Sequence, residues 1–181
     1  MLVDGDVYGL GDNSEGQLGE SEGESLQQII TITLGSFSKV KEVSCGWNHT
    51  LILDFEGIVY SAGNNEYGQL GRGKDSSISA FSRVLKGARQ ISAGKDHSLA
   101  LCGSKVLGWG NSRDGQLGLL IKKNYHHPHE LNVYPCDYIF AGPKYSLFVT
   151  SKGVFGSGIN QHCQLGLGHE TDAQVPRRLS I

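Results

Sequence analysis

Apolar residues along this chain come in short clusters separated by polar, glycine-rich stretches. In "VSCGWNHTLIL", from Val43, Leu51 and Leu53 alternate with Thr50 and Ile52, the pattern of a buried strand. "IVYSAG", from Ile58, holds the β-formers Ile58, Val59 and Tyr60 and reads as the returning strand. "DFEG", Asp54–Gly57, joins the two as a hairpin-type turn whose last residue takes positive φ without a steric penalty. Nothing in this stretch carries a helical stripe. The pattern predicts short strands and tight turns, hence an all-β protein.

The same stretches recur in phase. "GDNSEGQLG", "GNNEYGQLG", "GNSRDGQLG" and "GINQHCQLG" open at Gly11, Gly63, Gly110 and Gly158, spaced by 47–52 residues. "VSCGWNHTLIL", "ISAGKDHSLAL" and "IFAGPKYSLFV" begin at Val43, Ile91 and Ile139, each 48 residues from the last. "DVYGLG", "GIVYSAG", "KVLGWG" and "GVFGSG" lie before the glycine turns. A fixed period of this length marks a repeat architecture. Within the turn, Asn64, Asn65 and Gly68 tolerate left-handed backbone, Gln69 is placed to bond neighbouring backbone, and Leu70 is the core plug. Four short segments per repeat fit a four-stranded blade, and blades around an axis form a β-propeller. The repeats run over residues 20–71, 72–118 and 119–166, with a partial blade at 1–19 and the start of a next blade at 167–181.

The recurrence settles what a glycine-rich loop means here. "GQLGRGKD", Gly68–Asp75, has the spacing of a phosphate-binding loop, but Asp75 stands where the magnesium-ligating hydroxyl is required, and no helical stripe follows. Repeated structural turns are the better reading.

The linked blocks "CGWNHTLIL" and "GIVYSAGNNEYGQLG" resemble the regulator of chromosome condensation repeat, and the likeness covers essentially the whole chain. "CGWNH" and the insertion-free repeats resemble, more distantly, the secretion-regulating exchange factor and alpha-tubulin suppressor-like branch. The resemblance implies a seven-bladed propeller. The expected fold is therefore all-β blades of four antiparallel strands, an incomplete arc of such a ring; a small closed ring of about four blades is the alternative. The resemblance also implies a second functional reading, nucleotide exchange on a Ran-like small GTPase, which the founding member performs with a wedge-like insertion and face residues. No long insertion is evident: Glu20–Glu42, Arg72–Gln90 and Leu119–Pro135 are similar in length, and no stretch of these 181 residues reads as the founding member's basic tail. Two departures stand out. Tyr145 replaces the histidine found at His49 and His97, and Cys163 replaces the glycine found at Gly16, Gly68 and Gly115.

Composition narrows the function classes. Net charge is −2, with both signs interspersed, which argues against nucleic-acid binding through phosphate neutralisation. No run of 18 apolar residues predicts a membrane span, and the N-terminus has no secretory pattern. Cys45, Cys102, Cys136 and Cys163 form no CxxC pair, so reduced thiols in cytoplasm or nucleus are expected.

Candidate chemistry is sparse. His49 and His97 occupy equivalent repeat positions, which favours structural hydrogen bonding over catalysis. "HHPHE", His126–Glu130, offers imidazoles for zinc but reads as a surface loop turned by Pro128. Asp4, Asp6 and Asp12 lack the spacing of a calcium loop and read as turn residues. Trp109 is expected in the core; for Trp47, packing is favoured over an exposed anchor. No catalytic, cofactor or metal residues are assigned. The candidate interaction face is Trp47, Asn48, Lys95, Asp96, Pro143 and Lys144, between each repeated glycine and the histidine position. The expected function is a non-enzymatic interaction module or regulator with a protein partner, a small GTPase being one candidate.

Overall fold

The computed structural model describes residues 1–19, 25–32, 39–74 and 80–180; Asp75 lies outside them. Among these residues every regular element is a strand. The first sheet contains β1 (Leu2–Val3), β2 (Asp6–Gly11) and β3 (Leu26–Ile32). The second contains β4 (Val40–Cys45), β5 (His49–Asp54), β6 (Ile58–Gly63) and β7 (Ser82–Lys86). The third contains β8 (Gln90–Ala93), β9 (His97–Cys102), β10 (Lys105–Asn111) and β11 (Asn124–Glu130). The fourth contains β12 (Cys136–Ala141), β13 (Tyr145–Thr150), β14 (Gly153–Gly158) and β15 (Ala173–Arg178). Each sheet is an antiparallel meander in chain order, and successive sheets stack face to face as propeller blades. The first strands β4, β8 and β12 lie against one another and mark the axial side; β7, β11 and β15 form the rim.

The two-residue period of a strand explains the core. In β5, Leu51 and Leu53 face the third sheet and pack with Ile91, Ala93, Ala100 and Trp109. Ile52, pointing the other way, packs with Val7, Val40 and Tyr60. In β9, Leu99 and Leu101 face the fourth sheet and meet Ile139 and Phe148, whereas Ala100 faces back. With both faces covered, β5 is buried along its whole length. β13 instead alternates between half-buried and buried positions.

Two expectations are corrected. Residues 167–181 do not open a further blade: they supply β15, which pairs with β14. "HHPHE" is not a loop but the end of β11, paired with β10. The terminal segment reads as a strand in either case, and only its pairing assigns it to the fourth sheet. "HHPHE" is hidden because rim strands have one exposed edge, so proline and polar residues are tolerated there and the apolar alternation that marks a strand is lost. Likewise each of the three connections of similar length holds a rim strand, β3, β7 or β11.

The leading glycine of each turn motif is required twice over at Gly110. Its φ is +94°, and an added Cβ would lie 2.6 Å from Asp96 O and 2.8 Å from His97 Cα. Gly63 and Gly158 are constrained the same way by the neighbouring short turn. Cys163 accepts φ +56°, so the fourth turn keeps its shape at the cost of left-handed strain in a non-glycine residue.

Candidate interaction face

Three short turns, Gly46–Asn48, Gly94–Asp96 and Gly142–Lys144, connect the first and second strands of successive blades. Each closes by a glycine N–H donating to the carbonyl three residues on, at His49, His97 and Tyr145 (2.8 Å each). The turns are joined side by side: Trp47 N–H donates to Lys95 O (3.3 Å) and Lys95 N–H to Pro143 O (3.2 Å). They are also fastened to the long glycine turns at the same end of the blades. Asn64 N–H donates to Asn48 O (2.7 Å), Asn111 N–H to Asp96 O (2.8 Å), and Ile159 N–H to Lys144 O (3.0 Å). The six sequence-predicted residues therefore form one row across three blades.

Beneath the row runs a buried relay. His49 Nε2 lies 2.9 Å from Ser98 Oγ, and His97 Nε2 lies 3.0 Å from Ser146 Oγ. Ser98 Oγ donates its single proton to Gln69 O (2.8 Å) and Ser146 Oγ to Gln116 O (2.7 Å). Each serine must therefore accept from the histidine, which fixes the Nε2–H tautomer. The Nδ1 atoms are buried without a partner. Burial lowers His49 to about 4; burial, with the charge of His49, lowers His97 to about 3. Both imidazoles are neutral ties between blades, and neither faces a nucleophile at the surface. Trp109, fully buried, donates its Nε1–H to the same Gln69 O (2.8 Å).

A second set of ties links the axial strands. Ala93 N–H donates to Ser44 Oγ and Ala141 N–H to Ser92 Oγ (2.9 Å each). Gln90 exchanges two bonds with the backbone of Ile139. Arg89 donates to Cys136 O and Asp137 O, as Lys41 does to Arg89 O. These spacings of 47–49 residues are the repeat period, so each tie joins equivalent strands of adjacent blades. The ties hold the loops in fixed positions relative to one another.

The face itself is mixed in charge and open. Trp47 is 66% exposed, against the sequence expectation that it packs inward. The turn carries its side chain away from the strand, and the Lys95 ammonium sits 3.8 Å from its ring centroid. Lys144 pairs with Asp114 at 3.2 Å. Burial raises the Asp96 carboxyl above its ordinary range, opposed by Lys95 and Lys144. The hollow between Trp47, Lys95 and Pro143 is about 170 Å³, below the size of small-molecule sites. Among the described residues, no group of three or more His, Cys, Asp and Glu is placed to hold a metal. Asp12 instead accepts from Ser14 and Gln17 within its turn, and the bonds from Ser14 hold its carboxyl below the usual range.

The sequence pattern missed Ser98, Ser146, Arg89 and Gln90 as ties. The signal that would have found them is their spacing, one repeat from their partners in either direction.

Models of the regulator of chromosome condensation repeat match residues 4–53 and 56–101, and, in a second form, residues 40–69 and 88–116. The chain belongs to the regulator of chromosome condensation repeat family. It is 32% identical to the ultraviolet-B receptor UVR8 of Arabidopsis thaliana over 98% of this chain and 42% of that protein. It is 37% identical to the X-linked retinitis pigmentosa GTPase regulator of Mus musculus over 70% of this chain and 13% of that protein. Among solved structures, human WBSCR16 superposes with a TM-score of 0.83 at 26% identity, covering 97% of this chain and 48% of that one. The chain thus spans less than half the length of these similar proteins.

Proposed function

We propose that this chain is a non-enzymatic interaction module that binds a protein partner on the axial row of turns. The observation that carries the reading is the exposed Trp47, backed by Lys95 and locked by main-chain bonds to the next two blades. A large rigid aromatic on a preorganised surface costs little entropy to bury, which is what a binding hot spot needs. Loops at one end of a fixed scaffold are also where propellers and other repeat folds carry their contacts.

A second reading, exchange of guanine nucleotide on a Ran-like small GTPase, is supported by one finding: a 37% identical relative is named as a GTPase regulator. The two readings separate experimentally. Quantitative affinity capture compares the wild type with Trp47→Ala and Lys95→Glu. Partners retained by wild type and lost from both variants support the axial row, and a partner list unchanged by either variant refutes it. Release of fluorescent GDP from purified small GTPases tests exchange. No acceleration at micromolar chain removes the exchange reading for this chain.

A further inference from the structure

A cleft of about 730 Å³, within the size range of ligand-binding sites, is lined by residues of the third and fourth sheets and their connections. Its walls include Tyr125 on β11, Tyr134 in the linker to β12, Phe155 on β14 and Pro176 on β15. Leu120 and Ile121 stand at its mouth, 80% and 63% exposed.

The repeats supply an internal control. After "GQLG", the second copy continues Arg72–Gly73–Lys74, whereas the third continues Leu119–Leu120–Ile121. Arg72 folds back to donate to Ser61 Oγ (3.1 Å). Blade construction therefore does not call for an aliphatic run at this place, and two of its three residues add nothing to the core. A contiguous exposed apolar patch that the fold does not need is the mark of a binding surface.

The rim of the cleft is basic. Lys152 Nζ lies 4.3 Å from the Tyr134 ring centroid and Lys123 Nζ 4.9 Å from that of Tyr125. Among the described residues neither ammonium is ion-paired. Arg177 and Arg178 border the adjoining hollow, which shares Leu120 and Val175 with the cleft. Two nearby carboxylates are engaged: Glu130 pairs with Lys105 at 3.0 Å, and Asp172 accepts from Asn160 N–H (2.8 Å). Both bordering strands carry proline, Pro128 and Pro176, and proline lacks the N–H that an added strand would use. Recognition must then go through side chains, with apolar groups on the aromatic walls and anions on the lysines.

We propose that this rim cleft binds an extended peptide segment of a partner protein, with an apolar core and acidic flanks. The site is separate from the axial row.

The test pans phage-displayed random dodecapeptides on the intact chain, then measures a fluorescein-labelled copy of an enriched peptide by anisotropy. Enriched peptides should carry apolar cores flanked by Asp or Glu. Binding should weaken at least about tenfold in Leu120→Ser and in the double variant Lys123→Glu/Lys152→Glu, and should stay unchanged in Trp47→Ala. Leu120 is exposed, so a circular-dichroism spectrum matching wild type will show that the L120S variant folds. No enrichment, enrichment without acidic residues, or equal binding to the cleft variants overturns the proposal. So does loss of binding in Trp47→Ala alone, which would place the peptides on the axial row.

Discussion

Acidification should loosen this protein through its two buried histidines, and His97→Gln isolates one of them. In the folded chain His97 is held to about 3 and His49 to about 4, against an unfolded value near 6.5. A histidine with a depressed folded pKa binds its proton only in the unfolded state. Its neutral form is therefore compatible with folding above about 6.5, and stability falls as pH drops from there toward the folded values. Between pH 7 and pH 5 each histidine should cost about 2 kcal/mol, so the pair costs about 4 kcal/mol. A glutamine in place of His97 would keep an N–H donor for Ser146 Oγ but cannot titrate. The variant should lose about 2 kcal/mol less than wild type over the same range. Glu42, raised by burial, works in the opposite sense, losing its contribution as pH rises through its folded pKa; it is present in both proteins and cancels. Urea unfolding at pH 7 and pH 5, followed by the fluorescence of the buried Trp109, gives both numbers. If wild type and H97Q lose the same free energy to within about 0.5 kcal/mol, His97 is not a buried neutral tie and the relay is wrong.

Other substitutions test separate parts of the structure. Gly110→Ala should destabilise by more than about 2 kcal/mol, because the methyl meets the backbone of Asp96 and His97. Gly103→Ala, at φ +60° with nothing within 4 Å, should cost only about 1 kcal/mol; chemical denaturation distinguishes the two. Leu117→Ala, at the fully buried plug position between the third and fourth blades, should cost about 2–5 kcal/mol by the same measurement. Trp47→Ala should shift stability by less than about 0.5 kcal/mol while abolishing capture of the axial-row partner.

Much of the fold was readable because its determinants are local or periodic. Leu51, Leu53, Ile58 and Val59 announce β5 and β6, and the turn glycines announce their own positive φ. The rim strand β11 was not readable: it reads "NYHHPHE", which does not alternate, whereas β15, "AQVPRR", reads as a strand but was placed in a next blade. A half-exposed edge strand has little apolar surface to bury, so its pairing is decided by the strand it joins and not by its own residues. The exposure of Trp47 was missed for a related reason. A tryptophan between a buried strand and a glycine is apolar enough to pack, and only the direction of the turn decides that it does not.

By itself, the sequence determined the repeat, the strand and turn types, and the plugs such as Leu70. These follow from propensities and spacings within a few residues, multiplied by the period. Tertiary structure alone decided that His49 meets Ser98, that Trp47 lies under the ammonium of Lys95, and that Leu120 and Tyr134 frame one cleft. Most of these pairs are separated by about one repeat. Whether such residues touch depends on the rotation and distance between stacked sheets, and those are set by the volume of the core between blades rather than by any local residue preference.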